Sequence, residues 1–417
     1  MTKIIVSRFD HPSSTILHRG LLLIYFVYFF CGLTQCLEGV FLPEFKDFFH
    51  LSYQQQMYAV FAKNIPFLGS VAAGAALARI GYAKSLAVAM ALYSAGTFLL
   101  IPGLRTARYE VLLLGFFLIG AGFTLQMVSG NPLLSLLGPN HEASSRQNFG
   151  NALGAIAQTL GPAISSIAVP AAAISVTSKL PYVERLFAAL ASILLLTAFL
   201  ALYVTPPKLA WSPPVDSSGV AVQSHGKALR SRVLLATSVL FCVLGFEASL
   251  FSFFRNYLQS PAIADFSATQ SQRWLAVYFL VFALGRLAGA WSQKRVRPAV
   301  EMCVHLILAG ALLIPVIFAR GTPALAAMLG LGFVVSVFFP TLYAIALENA
   351  AIAPERASGI LTFGFLGCAV FPVLQGRLAD VHGLQRSYAL GFFVYLIAFL
   401  YVVLILRARA IGSESQK

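Results

Sequence analysis

Apolar residues in this chain come in about twelve long runs, separated by short polar turns. The runs fall at 17–41, 55–78, 83–103, 109–133, 147–172, 184–205, 231–254, 271–293, 301–319, 322–345, 357–378 and 385–408. Each is close to the roughly 20 helical residues that cross a bilayer. Hydrocarbon cannot satisfy open backbone N–H and C=O groups, so runs of this length are predicted to be helices. The first run is too long for a signal peptide, lacks a small-residue cleavage site and is followed by eleven others, so it is read as retained.

Composition agrees. Of 417 residues, 59% are hydrophobic and 11% charged, against about 25% charged in ordinary soluble domains; mean hydropathy is +0.81. The expected fold class is an all-α integral membrane protein with twelve transmembrane helices in two pseudo-symmetric six-helix halves.

The two halves follow from an internal repeat. Glu38 recurs as Glu247 (247 − 38 = 209), Gly122-Phe123 as Gly332-Phe333 (332 − 122 = 210) and Pro132 as Pro340 (340 − 132 = 208). Pro162 recurs as Pro372 and Lys84 as Lys294, both at 210. Between the halves lies "TPPKLAWSPPVDSSGVAVQSHGKALRSR", rich in Pro, Ser and cations, which reads as a linker. The expected domains are 1–206, a cytoplasmic linker at 207–230, and 231–417. Parallel six-helix halves are one of the transporter architectures, with substrate near the membrane midplane between them.

A net charge of +14 could suggest nucleic acid. With the N-terminus inside, the cations gather on one side: Lys3, Arg8, Arg19, Arg79, Lys84, Lys208, Lys227, Arg230, Arg232, Lys294, Arg295, Arg297, Arg407 and Arg409 lie at or near the starts of odd-numbered and the ends of even-numbered runs. That bias predicts cytoplasmic termini and a bilayer, rather than nucleic acid, as partner. The five cysteines, Cys31, Cys36, Cys242, Cys303 and Cys368, all fall inside runs and show no metal spacing. No P-loop, H-E-x-x-H or nucleophile elbow occurs, so no enzyme activity, metal or cofactor is expected.

Of the ionisable residues inside runs, four stand out: Glu38, Lys63, Glu247 and Arg286. Each costs at least roughly 2.5–3.5 kcal/mol at the bilayer centre, so each is expected to face a cavity and a partner. Glu38 and Lys63 lie on helices joined by a short loop and form a candidate pair. It reads either as a structural bridge or as a proton switch in which protonating Glu38 releases Lys63. Glu247, in "FCVLGFEASLFSFFRNYL", is placed on a water-filled path where it can bind a hydroxyl or a proton.

Uncharged polarity surrounds these charges. Gln35 shares a helix face with Glu38, and Asn148, Asn151 and Gln158 share another. Gln126 and Asn131 come from the fourth run, Asn256 and Gln375 from the second half. Amides donate and accept, as sugar hydroxyls do; hydrogen bonding between helices is the competing use. Phe339, beside Pro340, is the candidate for covering an apolar sugar face.

The duplicated plan, with "GAALARIGYAK" and "GRLAGAWSQKRVRP" after the second and eighth runs, resembles the major facilitator superfamily. Within it, "GFEASLFSFFRNYL", "GFVVSVFFPTLYAIAL" and "ASGILTFGFLGCAVFPVLQGRLADVHG" are similar to the fucose–galactose–glucose/proton symporter family, as are "GNPLLSLLGP" and "QNFGNALGA". The resemblance implies a sugar-contacting role for Asn151, with Asn148 in place of a Gln, and an acid at Glu247. Two positions depart from the family pattern. Its coupling carboxylate in the fourth span is here Met127 beside Gln126, and its first-span Asp falls at Gly39, one residue after Glu38. Lys63 stands where an aromatic or small residue is usual.

The expected function is secondary transport of a monosaccharide, a hexose such as glucose, galactose or fucose, by alternating access with proton symport through Glu38, Lys63 and Glu247. Sodium coupling, uncoupled diffusion and export of amphipathic compounds remain alternatives, as does a sugar sensor. The expected location is a bacterial inner (plasma) membrane, as a multi-pass monomer.

Overall fold

The computed structural model describes residues 14–51, 53–169, 176–203, 226–261, 263–350 and 352–414. Sixteen α-helices occur among them. They are α1 Ser14–Phe48, α2 Tyr53–Asn64, α3 Ser70–Ile80, α4 Tyr82–Arg105, α5 Tyr109–Leu136, α6 Ala143–Ala168, α7 Val176–Tyr203 and α8 Gly226–Gln259. The rest are α9 Ala268–Ser292, α10 Pro298–Phe318, α11 Gly321–Val335, α12 Phe338–Glu348, α13 Pro354–Thr362, α14 Gly367–His382, α15 Leu384–Ser387 and α16 Leu390–Glu414. Eleven segments among the described residues are long and apolar enough to cross a membrane. The fifth expected span, 147–172, forms α6, which is 26 residues long but is not among the eleven. Its Arg146, Gln147, Asn148, Asn151 and Gln158 lower its hydropathy, and residues 170–172 lie outside the described ones.

Four spans are built from two helices each, the last of them from α15 and α16, and proline marks the joints of the second and tenth. In the second span the 3₁₀ turn Ile65–Gly69 links α2 to α3. Pro66 has no N–H to give to the preceding turn, and a helix without that rung loosens. In the tenth span, α11 ends at Val335 and α12 starts at Phe338, with Pro340 inside the first turn of α12. The eleventh joins α13 to α14 through the 3₁₀ turn Phe363–Leu366.

Two compact units form: residues 11–137 with 153–209, and 138–152 with 210–417. The first part of α6 therefore groups with the C-terminal unit. Of the linker expected at 207–230, residues 207–225 lie outside the described ones, while 226–230 open α8.

Glycines set how closely the helices cross in each unit. In the N-terminal unit, a Cβ on Gly32 of α1 would lie 2.7 Å from Gly154 Cα on α6. In the C-terminal unit, a Cβ on Gly245 of α8 would lie 2.8 Å from the Gly367 carbonyl on α14. Contacts this close leave no room for a side chain and give membrane helices the van der Waals packing that holds them together. The two crossings repeat at one offset, 245 − 32 = 213 and 367 − 154 = 213. Close approaches recur elsewhere: Gly120 of α5 receives the Lys63 backbone of α2, and Gly332 of α11 receives the Tyr278 ring of α9.

These contacts correct the register read from sequence. At 213, Glu38 corresponds to Phe251 and Glu247 to Thr34. The two acids are thus offset by one helical turn (213 − 209 = 4) and share a face without being equivalent positions.

Candidate functional site

In the N-terminal unit the expected pair is formed. Lys63 Nζ lies 2.5 Å from Glu38 Oε2, with Glu38 only 2% exposed. Glu38 stands ten residues before the end of α1, and Lys63 is ten residues past the first residue of α2, so a tight turn brings both to the same depth. Lys63 is the penultimate residue of α2, just before the 3₁₀ joint, where its carbonyl is pressed against Gly120. The second carboxylate oxygen, Glu38 Oε1, is buried with no hydrogen-bond partner.

The amides of the fourth span sit nearby in the chain and differ from one another. Asn131 is fully buried; it accepts from Tyr28 Oη at 2.5 Å and its amide approaches Met127 Sδ at 3.5 Å. Gln126 is fully buried with neither amide atom hydrogen-bonded. Its Nε2 lies over Gly130, where an added Cβ would stand 3.0 Å away and 3.3 Å from the Tyr28 ring. Gln35 is half-buried and lies beside the Tyr93 hydroxyl, which donates to the Cys31 carbonyl at 3.3 Å. Gln158 is half-buried, and its backbone is the part engaged. Pro162 cannot donate to the Gln158 carbonyl four residues back, and Cys36 Sγ donates to it instead at 3.0 Å.

In the C-terminal unit one guanidinium gathers the site. Arg286 Nη2 lies 3.6 Å from Glu247 Oε1, Nη1 donates to the Asn151 carbonyl at 3.1 Å, and Nε donates to the Ser336 carbonyl at 3.1 Å. The Phe282 ring lies 4.5 Å beneath it. Ser336 is four residues before Pro340, so its carbonyl has no helical donor and a side chain from α9 takes that place. At the same joint the Phe333 carbonyl accepts from Ser336 Oγ at 2.7 Å, and His305 Nδ1 lies 3.0 Å from the Val334 carbonyl.

Two turns along α9 from Arg286, a second polar group is buried. Asn148 Nδ2 donates to Gln293 Oε1 at 2.9 Å and to Thr341 Oγ1 at 3.1 Å, and Gln293 Nε2 donates to Thr341 Oγ1 at 2.9 Å. Ser145 Oγ donates to the Ala290 carbonyl. Asn151 turns its own amide to the Gln147 carbonyl at 2.9 Å.

The other candidates lie elsewhere. Phe339 is buried between the rings of Tyr343 and Phe365, with centroids at 5.8 and 5.1 Å. Gln375 is buried midway along α14, its Nε2 3.3 Å from Ser387 Oγ of α15. Asn256 is on an exposed face of α8. No hydrogen bond among the described residues joins Gln375 or the Asn256 side chain to Glu247.

Sequence reasoning flagged Arg286 as a charge without giving it a role, and passed over Gln293 and Thr341. One signal was available: Pro340 marks Ser336 as a carbonyl in need of a donor. All five cysteines are free.

Compared with known proteins, residues 24–365 match the Major Facilitator Superfamily. The chain is 28% identical over 393 residues to a glucose/galactose transporter of Brucella abortus, covering 93% of each chain. It is 23% identical over 382 residues to the L-fucose-proton symporter of Escherichia coli K12, covering 86% of each. Its fold is similar to the crystal structure of the MFS transporter FucP in the outward conformation. That likeness has a TM-score of 0.81 at 20% identity, over 92% of this chain and 98% of that one.

Proposed function

This chain belongs to the Major Facilitator Superfamily, a family of membrane transporters and not of enzymes, and from that we propose that it carries a monosaccharide by alternating access with proton symport. The cargo is a hexose such as glucose, galactose or fucose, the sugars named for its relatives.

The observation that carries the reading is the character of the buried polar groups. Two buried carboxylates already face a cation, Glu38 with Lys63 and Glu247 with Arg286. Among the buried side-chain atoms with no hydrogen-bond partner are the Gln126 amide, Glu38 Oε1 and Glu247 Oε2, which offer neutral or single-atom capacity. Neutral donors and acceptors beside compensated charges suit an uncharged, hydroxyl-rich ligand. They suit a charged or purely apolar cargo poorly, since a buried unpaired group costs about 1–3 kcal/mol unless something satisfies it.

In this reading Gln35, Gln126 and Asn131 of the N-terminal unit, and Asn151 and Glu247 of the C-terminal unit, are the groups offered to the sugar, with Phe339 serving by its packing against Tyr343 and Phe365. Asn148, Gln158 and Gln375 serve mainly by holding helices together, and Asn256 contributes from an exposed position. Glu38 and Lys63 form the coupling pair. A proton on Glu38 removes the charge that holds Lys63, so the first and second spans separate only when the proton is carried. The protein lies in a bacterial inner membrane as a monomer with both termini cytoplasmic, the orientation favoured by the cations at Arg79, Lys84, Lys294, Arg295 and Arg297.

Uptake of labelled D-glucose, D-galactose and L-fucose into proteoliposomes tests this directly. Accumulation above the outside concentration under an inward proton gradient is expected. Accumulation with sodium alone would reassign the coupling ion. Equilibration without accumulation under either gradient would make the protein a uniporter, and transport of none of the three sugars would end the cargo assignment.

A further inference from the structure

We propose that Arg286 is a positioning residue for this transporter: it ties the Glu247 carboxylate to a polar seam between α6 and α9, so that whatever engages Glu247 loosens the seam. The role rests on the reading of Glu247 as part of the site.

The seam consists of three contacts. Asn151 of α6 meets Arg286 of α9, Asn148 meets Gln293, and Ser145 meets Ala290. On α9 these positions, 286, 290 and 293, fall at i, i+4 and i+7 and so share one face. Gly289 lies between them, where an added Cβ would stand 3.4 Å from Asn148 Oδ1, and Thr341 of α12 joins the Asn148–Gln293 contact. Hydrogen bonds between membrane helices are individually modest. A seam held by a few of them can open and re-form during a cycle, where a leucine-packed contact of the same length would stay shut.

Arg286 is the step where the seam meets a charge. Its planar fork presents five donors in fixed directions. Two of them hold carbonyls of α6 and of the α11–α12 joint, while a third faces Glu247 at the longer separation of 3.6 Å. Glu247 is thus held by attraction more than by a tight bond, and its Oε2 is free of hydrogen bonds. A hydroxyl or proton arriving at Glu247 weakens its pull on the guanidinium. Because the fork is rigid, the shift is felt at the Asn151 and Ser336 carbonyls together. Lysine could supply the charge but not the three-way geometry.

The test compares Arg286→Gln and Arg286→Lys with the parent in proteoliposomes, using D-glucose, D-galactose and L-fucose. Hydrogen–deuterium exchange is followed on the purified proteins at 143–152. Arg286→Gln is expected to lower kcat per folded molecule at least tenfold with KM within threefold. It should also speed exchange at 143–152 without sugar and abolish any sugar-dependent change there. Arg286→Lys should recover part of the rate. A kcat within twofold of the parent, or a loss confined to KM, overturns the proposal. If the parent moves none of the three sugars, the cargo reading has failed by itself. The sugar-free exchange then decides, and unchanged exchange in Arg286→Gln overturns the role of Arg286.

Discussion

Lys63 Nζ and Glu38 Oε2 stand 2.5 Å apart at one depth in the first two spans, with the carboxylate almost wholly buried. Removing one member of such a pair leaves the other charged and uncompensated, which costs about 3–5 kcal/mol in buried settings. The pair is therefore both a constraint on the resting structure and a place where one proton changes the balance.

Glu38→Gln mimics the protonated acid. It is expected to abolish gradient-driven accumulation of sugar while preserving exchange of external for internal sugar. Proteoliposomes assayed both ways check this, and accumulation equal to the parent would remove Glu38 from the coupling route.

Gln126 gives a prediction with two opposed readouts. Its buried amide has no partner, so Gln126→Leu should leave the thermal midpoint in detergent unchanged or raise it. If the amide meets a sugar hydroxyl, the same change should raise KM about tenfold or more. A fall in stability with KM unchanged would mean that the amide is a structural bond.

The glycine crossings predict which small changes the fold tolerates. Gly32→Val and Gly367→Val place side chains against backbone atoms of Gly154 and Phe241, and each should cost about 1–3 kcal/mol or prevent folding. Gly39→Ala, on the same helix as Gly32 but with nothing within 4 Å, should be neutral. Folded yield and thermal midpoints of the three variants settle the comparison.

Asn148 and Gln293 should be energetically coupled. A double-mutant cycle with Asn148→Ala and Gln293→Ala is expected to give an interaction of about 0.5–1.5 kcal/mol. Strict additivity would show that their 2.9 Å contact carries no weight.

Much of the architecture was legible in the residues. Hydrophobic partition adds up along a segment, so the spans, their polar turns and the two halves could be read locally. The Glu38–Lys63 pair was also within reach, because five residues or fewer separate the helices that carry it. The register of the repeat was not. Matching Glu38 to Glu247 gave 209, whereas the Gly32–Gly154 and Gly245–Gly367 crossings set it at 213. Residue type cannot distinguish a shift of one turn, since both registers keep the same helix face.

The sequence by itself determined that charged and amide side chains enter the membrane, and on which helices. Only the tertiary structure decided their partners. Arg286 reaches Asn151 across 135 residues of chain and Ser336 across 50, and Pro340 makes the second of these contacts necessary without naming the donor. The donor is set by which helix packs against the broken span, and that depends on glycine contacts summed over the whole unit.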